Sequence, residues 1–183
     1  MDRIRSKGNV LVDLTRFAHI VFIQKSIHTI MGKKYQTILV PYDNSKYSKK
    51  ALTEALEIAR MFGSDLYLLT VVDALTVAPS RFYLKPGSGE GKKLDKYLKG
   101  AFSKIDLVLR DAVLKCKEKD VCADYEIVVG SPVNVILKFA KKKKVELVVM
   151  GSQGLTGFGR LRALGSVSRK VSELAECPVM IVR

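Results

Sequence analysis

The sequence predicts an α/β domain built on a parallel sheet, and three observations carry this prediction. Five short apolar runs alternate with four longer segments whose apolar residues recur at helical spacing. The first run, residues 37–40, is rich in β-branched residues and has no polar alternation, as expected for a strand buried on both faces of a sheet. No two neighbouring runs are joined by a hairpin turn, so right-handed helical crossovers are the expected connections.

The strands are predicted from these apolar runs and from the turn residues that end them. In chain order they cover residues 37–40, 66–72, 123–129, 145–150 and 179–182. Pro41 ends the first strand, because proline has no N–H to donate to a sheet ladder. Residues 74–92 carry two prolines and three glycines, so a mobile connection is expected there.

Four helices are predicted between the strands from caps and apolar periodicity. Asn44 or Ser45 could cap the first helix, and Gly63 is expected to end it. The third helix begins at a Ser-Pro pair with Pro132 in its first turn and runs to about residue 142. The second is long and basic, over about residues 94–119, and the fourth begins near Ser166.

Residues 1–33 stand apart from this alternation. Apolar residues at helical spacing predict an amphipathic helix from about Leu11 to Ile30. A partly ordered tail is the alternative, and Met31 would itself make a natural start. The expected organisation is therefore an N-terminal extension without a catalytic role, followed by one domain over residues 34–183.

The formal net charge of +14 favours contact with polyanions or with a phosphorylated ligand. Much of the charge lies in residues 92–104 and 138–144. Such runs are usually solvated helix faces, and no aromatic-interleaved recognition motif accompanies them, which disfavours specific nucleic-acid binding.

Cysteine and histidine usage disfavours metal and disulfide chemistry. The three cysteines form no C-x-x-C motif, and both histidines lie in the first thirty residues. An odd number of cysteines without a framework suits a reducing cytoplasm. The longest apolar stretch near the N-terminus, residues 20–23, is too short to span a bilayer, so no transmembrane segment is expected.

The most informative stretch is the glycine-rich segment that follows the fourth strand. It contains Gly151 and Gly154 and leads to Gly165-Ser166, where an apolar-periodic helix starts. Glycines are expected to allow positive φ and close approach to a ligand, and a helix N-terminus presents N–H groups to anions. A strand, a glycine loop and a helix start together predict a phosphate cradle. A surface loop with tight turns is the alternative.

Ligands of open parallel sheets bind beyond the carboxyl ends of the strands. That rule brings residues 41–43, 71–73, 130 and 150–151 to one rim. The chain contains no P-loop, no Gly-x-Gly-x-x-Gly after the first strand, and no histidine in the domain for a Ser-His-Asp triad. Asp43 and Asp73 are the acids expected on the rim, as turn residues, as partners of a base or ribose, or as indirect metal ligands.

The segments at residues 38–43, 148–154, 164–168 and 177–183 read ILVPYD, VVMGSQG, LGSVS and CPVMIVR. In this order they resemble the ATP-binding branch of the universal stress protein family, and the resemblance covers residues 34–183. It implies a doubly wound five-stranded sheet in the order 3-2-1-4-5 that binds adenine nucleotide. It also implies an ATP-binding stress-response module, with Mg²⁺ accompanying ATP, and a homodimer paired through residues 179–182.

The resemblance also implies nucleotide-binding positions. Asp43, with Pro41 beside it, and the backbone of Val71 would meet the adenine. Met150, Gly151 and Gly154 would line the ribose and α-phosphate. The positions that would hold the β- and γ-phosphates by N–H and hydroxyl groups are Gly165, Ser166, Val167 and Ser168.

One departure from the family pattern concerns the loop length. Ten residues separate Gly154 from Gly165, where the family has nine. The extra residue could bulge at Gly157 or Gly159, or it could widen the loop and weaken phosphate contacts; Arg160 and Arg162 could compensate by charge or point to solvent. Two other functions stay open: a slow ATPase or self-phosphorylating protein, for which no general base is evident, and a basic nucleic-acid or partner-binding protein with an empty nucleotide pocket.

Overall fold

The computed structural model of the chain describes residues 34–73, 90–155 and 164–183, with side chains except at 90–98. The chain divides into two compact units, Met1–Lys33 and Lys34–Arg183. The helix expected at 11–30, nearly all of the connection expected at 74–92, and the glycines and arginines at 157–162 lie outside the described residues.

The described part of the second unit contains a five-stranded, all-parallel sheet in the order β3-β2-β1-β4-β5. The predicted fold class and strand order are therefore confirmed. The strands are β1 (Thr37–Pro41), β2 (Asp65–Val72), β3 (Ala123–Val129), β4 (Leu147–Gly151) and β5 (Val179–Val182). The described helices are α1 (Lys46–Phe62), α2 (Glu90–Lys117), α3 (Pro132–Lys142) and α4 (Ser166–Leu174).

The central strand β1 is buried on both faces, as its continuous apolar sequence predicts. Ile38, Leu39 and Val40 have no exposed surface. Although Pro41 cannot donate, the N–H of Tyr42 donates to the carbonyl of Leu69 at 2.9 Å, so β1 stays fixed to β2 beyond the proline. The chain therefore leaves the sheet at a defined point.

Helix α1 starts and ends as its capping residues predict. Of the two candidate caps, Ser45 takes the role, because its Oγ accepts the N–H of Ser48 at 3.2 Å. Asn44 instead adopts a left-handed conformation with φ 64°. Gly63 ends the helix at φ 68°, and its N–H donates to the carbonyl of Ala59.

The two faces of the sheet carry different helices. Leu56 of α1 and Leu109 of α2 pack with Ile38 on one face. Ile136 of α3 and Val171 of α4 pack with the other face, which includes Leu39. The sheet is thus doubly wound, and its carboxyl edge is left between the two layers as the place where loops and helix starts meet.

The starts of β4 and α2 differ from the sequence prediction by two residues or more. β4 begins at Leu147 instead of residue 145, because the N–H of Val145 donates to the carbonyl of Ala140 and closes the turn that ends α3. Lys144 lies in that turn with φ 51°. Helix α2 begins at Glu90, four residues before the apolar periodicity that predicted it. Among the described helices, none is long and apolar enough to cross a membrane.

Candidate functional site

The candidate site lies where the chain order of the strands reverses. β1 pairs with β2 on one side and with β4 on the other, so the switch point of the sheet falls between β1 and β4. β4 ends at Gly151, and the segment that continues from it, residues 151–155, is called the glycine loop below. The start of α4 returns to this point.

Helix α4 begins with a glycine and has no side-chain cap. Gly165 occupies the N-cap position with φ −63° and ψ 157°, and as a glycine it has no side chain to cap the first turn. The first N–H that reaches a helical carbonyl belongs to Arg169, which donates to Gly165 at 3.0 Å. The N–H groups of Ser166, Val167 and Ser168 precede that bond, at the end of the helix where the dipole is positive.

Ser152 ties this helix start to the sheet. Its N–H donates to the carbonyl of Val182 at 2.8 Å, and its own carbonyl accepts the N–H of Gly165 at 2.8 Å. The hydroxyl of Ser168 lies 2.9 Å from the same carbonyl and 3.0 Å from that of Gly165. The hydroxyl of Ser168, a predicted phosphate ligand, is therefore bonded within the protein, and its side chain is buried.

The glycines of the site serve close packing instead of unusual backbone angles. Gly151, Gly154 and Gly165 all lie outside the left-handed region, so they do not use the positive φ that glycine allows. A Cβ on Gly151 would lie 2.7 Å from the backbone carbon of Tyr47 in α1. A Cβ on Gly165 would lie 3.3 Å from the carbonyl oxygen of Ser152. Because these residues have no side chain, neighbouring backbone segments can pack closely against them.

The carboxylate of Asp43 joins the end of β1 to the glycine loop. Its Oδ1 accepts the N–H of Ser45 at 3.0 Å, and its Oδ2 accepts the N–H of Leu155 at 3.0 Å. A Cβ on Gly154 would lie 2.8 Å from Oδ2, so the carboxylate fills the space above that glycine. The sequence singles out Asp43 for its position on the rim, but it gives no signal for the partner 112 residues away.

The remaining predicted positions are spread along the rim. Met150 is buried in the core, and Val71 is partly buried against the same face of the sheet. Pro41 is half-buried at the end of β1. Asp73, the second predicted acid, directly follows β2 and is half-buried. The structure thus brings Asp43 to the glycine loop and Gly165 to Ser152, whereas β1 separates Val71 from β4.

The described side chains can be assessed for metal binding and for thiol reactivity. Across the described ranges, no group of three acidic, histidine or cysteine side chains could hold a metal ion. Burial raises the pKa of the Cys116 thiol to about 11, and burial also raises the pKa of Cys177. These thiols are therefore poor nucleophiles near neutral pH. The helix start supplies N–H donors and positive potential, which suit an anion.

The fold and this rim define an α/β protein with a glycine-capped helix start at the switch point of a parallel sheet. Residues 34–183 match the Universal stress protein family over their whole length, and the chain belongs to that family. The predicted family is thereby confirmed.

Individual proteins are also similar to this chain. The chain is 35% identical over 149 residues to Universal stress protein MJ0531 of Methanocaldococcus jannaschii, covering 81% of this chain and 82% of that protein. It is similar to the solved structure of universal stress protein UspA from Lactobacillus plantarum, with a TM-score of 0.71, 27% identity, and coverage of 83% and 100%. It is also similar to a universal stress protein solved in complex with cAMP, with a TM-score of 0.57, 26% identity, and coverage of 82% and 98%.

Proposed function

We propose that this chain is an ATP-binding regulatory module of the stress response. The observation that carries the proposal is the uncapped start of α4, which faces the switch point beside the glycine loop. A phosphate placed there would accept N–H groups from the first turn and meet the positive end of the helix dipole. The similarity to a family member solved with cAMP supports an adenine nucleotide as the ligand.

The proposed binding mode distributes the nucleotide along the rim. The β- and γ-phosphates bind at residues 165–168, and the ribose and α-phosphate bind beside Met150 and the glycine loop. The adenine lies toward Pro41, Asp43 and the backbone of Val71. Each hydrogen bond from a backbone N–H to a charged phosphate contributes about 1.5–3 kcal/mol, so two or three of them supply about 3–9 kcal/mol toward binding.

Magnesium would enter with the phosphates. The described residues provide no carboxylate cluster for a dedicated ion site. Mg²⁺ keeps several waters and is commonly held through substrate phosphates, so this chain's contribution is to hold the phosphates that carry the ion. The exposed hydroxyl of Ser166 lies at the first helical position and can orient one of those waters.

Replacing Ser166 by proline tests the phosphate site directly. Proline removes one N–H and is well tolerated at the first helical position, as Pro132 in α3 illustrates. The ψ of 157° at Gly165 already suits a residue before proline. We expect Ser166→Pro to weaken ATP binding about tenfold by calorimetry, because one charged hydrogen bond is lost.

The matched control is Ser166→Ala, which removes the hydroxyl and keeps the N–H. It should retain most of the affinity for ATP. Unchanged binding by Ser166→Pro would remove the helix start as the phosphate site. Absence of both heat and thermal shift when wild-type protein is titrated with ATP and Mg²⁺ would overturn the binding proposal itself.

The preference among adenine nucleotides follows from the same site. A triphosphate can use more of the N–H groups at residues 166–168 than AMP or cAMP can. We therefore expect ATP to compete more strongly than AMP or cAMP against a fluorescent ATP analogue. A cAMP affinity equal to or above that of ATP would instead indicate a site adapted to one phosphate.

We also propose a homodimer paired through β5. β5 is an edge strand, and Met180 on it is 38% exposed, so an apolar edge remains to be covered. Pairing two copies of this edge around a two-fold axis would satisfy its free backbone groups. Light scattering should give twice the chain mass at micromolar concentration, and Met180→Lys should shift the mass toward one chain. A monomeric wild type would exclude this arrangement.

The expected compartment is the cytoplasm. Cys116, Cys122 and Cys177 are all free thiols, which suits a reducing environment. Alkylation of all three thiols under denaturing conditions, without prior reduction of the cell extract, would support this placement.

A further inference from the structure

The contacts of Asp43 extend beyond the base-binding role that the sequence predicts for it. One carboxylate oxygen accepts the N–H of Ser45, at the start of α1, and the other accepts the N–H of Leu155 in the glycine loop, each at 3.0 Å. The two backbone segments follow β1 and β4, which flank the switch point. A single side chain thus joins both sides of the candidate site.

We propose that Asp43 is a positioning residue, which holds the glycine loop against the end of β1 and so fixes the mouth of the nucleotide site. This inference rests on the proposed nucleotide-binding function. Asp43 accepts the N–H of Leu155 and thereby fixes the position of the glycine loop before the ligand binds. This effect is on the whole ligand and comes in addition to the contact with adenine proposed above.

Three observations favour positioning by Asp43. The described glycines of the loop are outside the left-handed region, so no special backbone angle sets the loop's path. The Leu155 side chain is 70% exposed and provides little anchorage of its own. The approach of Gly154 to Oδ2 leaves no room for a Cβ, so the carboxylate and the loop are in direct contact. Hydrogen bonds to an ionised carboxylate are about twice as strong as neutral ones.

The first experiment measures the contact without nucleotide. The amide resonances of Leu155 and Ser45 are compared by NMR in wild type, Asp43→Asn and Asp43→Ala. Loss of the carboxylate should move both resonances upfield in Asp43→Ala, while amides of β3 stay in place. Asp43→Asn keeps one acceptor oxygen and should retain one of the two bonds. An unmoved Leu155 resonance in Asp43→Ala would overturn the inference, whatever the protein does with ATP.

The second experiment is a double-mutant cycle with Gly154. Asp43→Ala and Gly154→Ala should each weaken ATP binding about tenfold, because each breaks the same charged contact from one side. Gly154→Ala removes no acceptor, so the carboxylate of Asp43 is still present to accept the N–H of Ser45 while its contact with the loop is disturbed. The double variant should be no weaker than Asp43→Ala alone, because the carboxylate that obstructs the new methyl group is gone. Additive losses would contradict the inference.

The third measurement separates positioning from base recognition. Under the proposal, Asp43→Ala weakens the binding of inorganic tripolyphosphate as well as that of ATP, and the affinities of Asp43→Asn lie between those of Asp43→Ala and wild type. A loss confined to ATP, with tripolyphosphate unaffected, would assign Asp43 to the base instead. Gly100→Ala is the control, because a Cβ at that position has nothing within 4 Å. If wild type binds neither ligand, the proposed function fails, while the NMR comparison still decides the role of Asp43.

Discussion

Two helices begin at the same rim of the sheet, and they differ in how their first turns are capped. α1 starts after Ser45, whose buried hydroxyl accepts the N–H of Ser48 and whose own N–H is bonded to Asp43. α4 starts after Gly165, which has no side chain to offer. Neither first turn contains an acidic residue. The first turn of α1 is capped by a side chain, whereas the N-cap residue of α4 provides no side-chain cap.

The comparison also includes α3, whose start lies between these extremes. Its N-cap Ser131 makes no side-chain bond, but Pro132 leaves that start with one N–H fewer than α4 has. Leaving α4 uncapped has a small energetic cost, since glycine at an N-cap is only a few tenths of a kcal/mol worse than serine. A helix start without a side-chain cap is therefore compatible with a stable domain. The caps on the neighbouring helices make the difference at α4 visible.

The largest expected effect is at Gly151, where the end of β4 packs closely against the start of α1. A Cβ there would lie 2.7–2.9 Å from Tyr47 and from the N–H of Ser48, which are backbone and near-backbone atoms that cannot turn away. We expect Gly151→Val to reduce the free energy of unfolding by about 3 kcal/mol, measured by urea denaturation. Gly100→Ala in α2 should instead stabilise by about 0.5–1 kcal/mol. Wild-type stability in Gly151→Val would contradict the packing of α1 on β4.

The next largest expected effect is a loss of stability at alkaline pH, caused by Cys116 on the face of the sheet that α1 and α2 cover. Cys116 is fully buried there, and burial raises its pKa from 9.0 to about 11. The unfolded chain ionises first, so the stabilisation is complete below about pH 9 and is lost as the pH rises through 11. The loss should reach about 2–3 kcal/mol in the free energy of unfolding.

Cys116→Ala provides the control for this alkaline loss. It should be less stable at neutral pH because of the cavity, but its stability should fall less between pH 8.5 and 11. If the free energy of unfolding falls equally with pH in wild type and Cys116→Ala, the pH dependence does not come from Cys116.

The smallest effect tests the two helix starts against each other. Ser45→Ala should reduce the free energy of unfolding by about 1 kcal/mol, because it removes the cap of α1. Its affinity for ATP should stay within about twofold of wild type, since the cap contributes to stability and faces the protein. Ser166→Pro should show the opposite pattern, with stability retained and affinity lost. If both variants lose affinity equally, the distinction between the two starts fails.

The fold was predictable because its signals are local. Gly63, Pro132 and the buried run of β1 each act within a few residues, and each lies where the sequence predicts. The boundary of β4 was missed because the N–H of Val145 is used by the last turn of α3. Apolar sequence marks burial at Val145, but it does not reveal which carbonyl an N–H will reach.

The site was predictable in its location and less so in its contacts. The glycines, Asp43 and the start of α4 were found from rim position and from the family resemblance. Their bonds join residues far apart in the chain, as with Asp43 and Leu155, so no spacing rule could reveal them. Ser152 was missed altogether, because its contribution comes from backbone groups that every residue carries. Buried serines at the end of a strand are the signal that could have found it.

The bonds of Ser152 have a consequence for the cooperativity of the domain. Its N–H holds the end of β5, and its carbonyl holds both Gly165 and the hydroxyl of Ser168. The start of α4 cannot loosen while Ser152 stays in place, and Ser152 cannot leave without freeing the last carbonyl of β5. Hydrogen exchange at the amides of Ser152 and Gly165 should therefore follow the opening of the sheet edge and be slower than in surface loops. The start of α4 is therefore expected to belong to the same cooperative unit as the sheet.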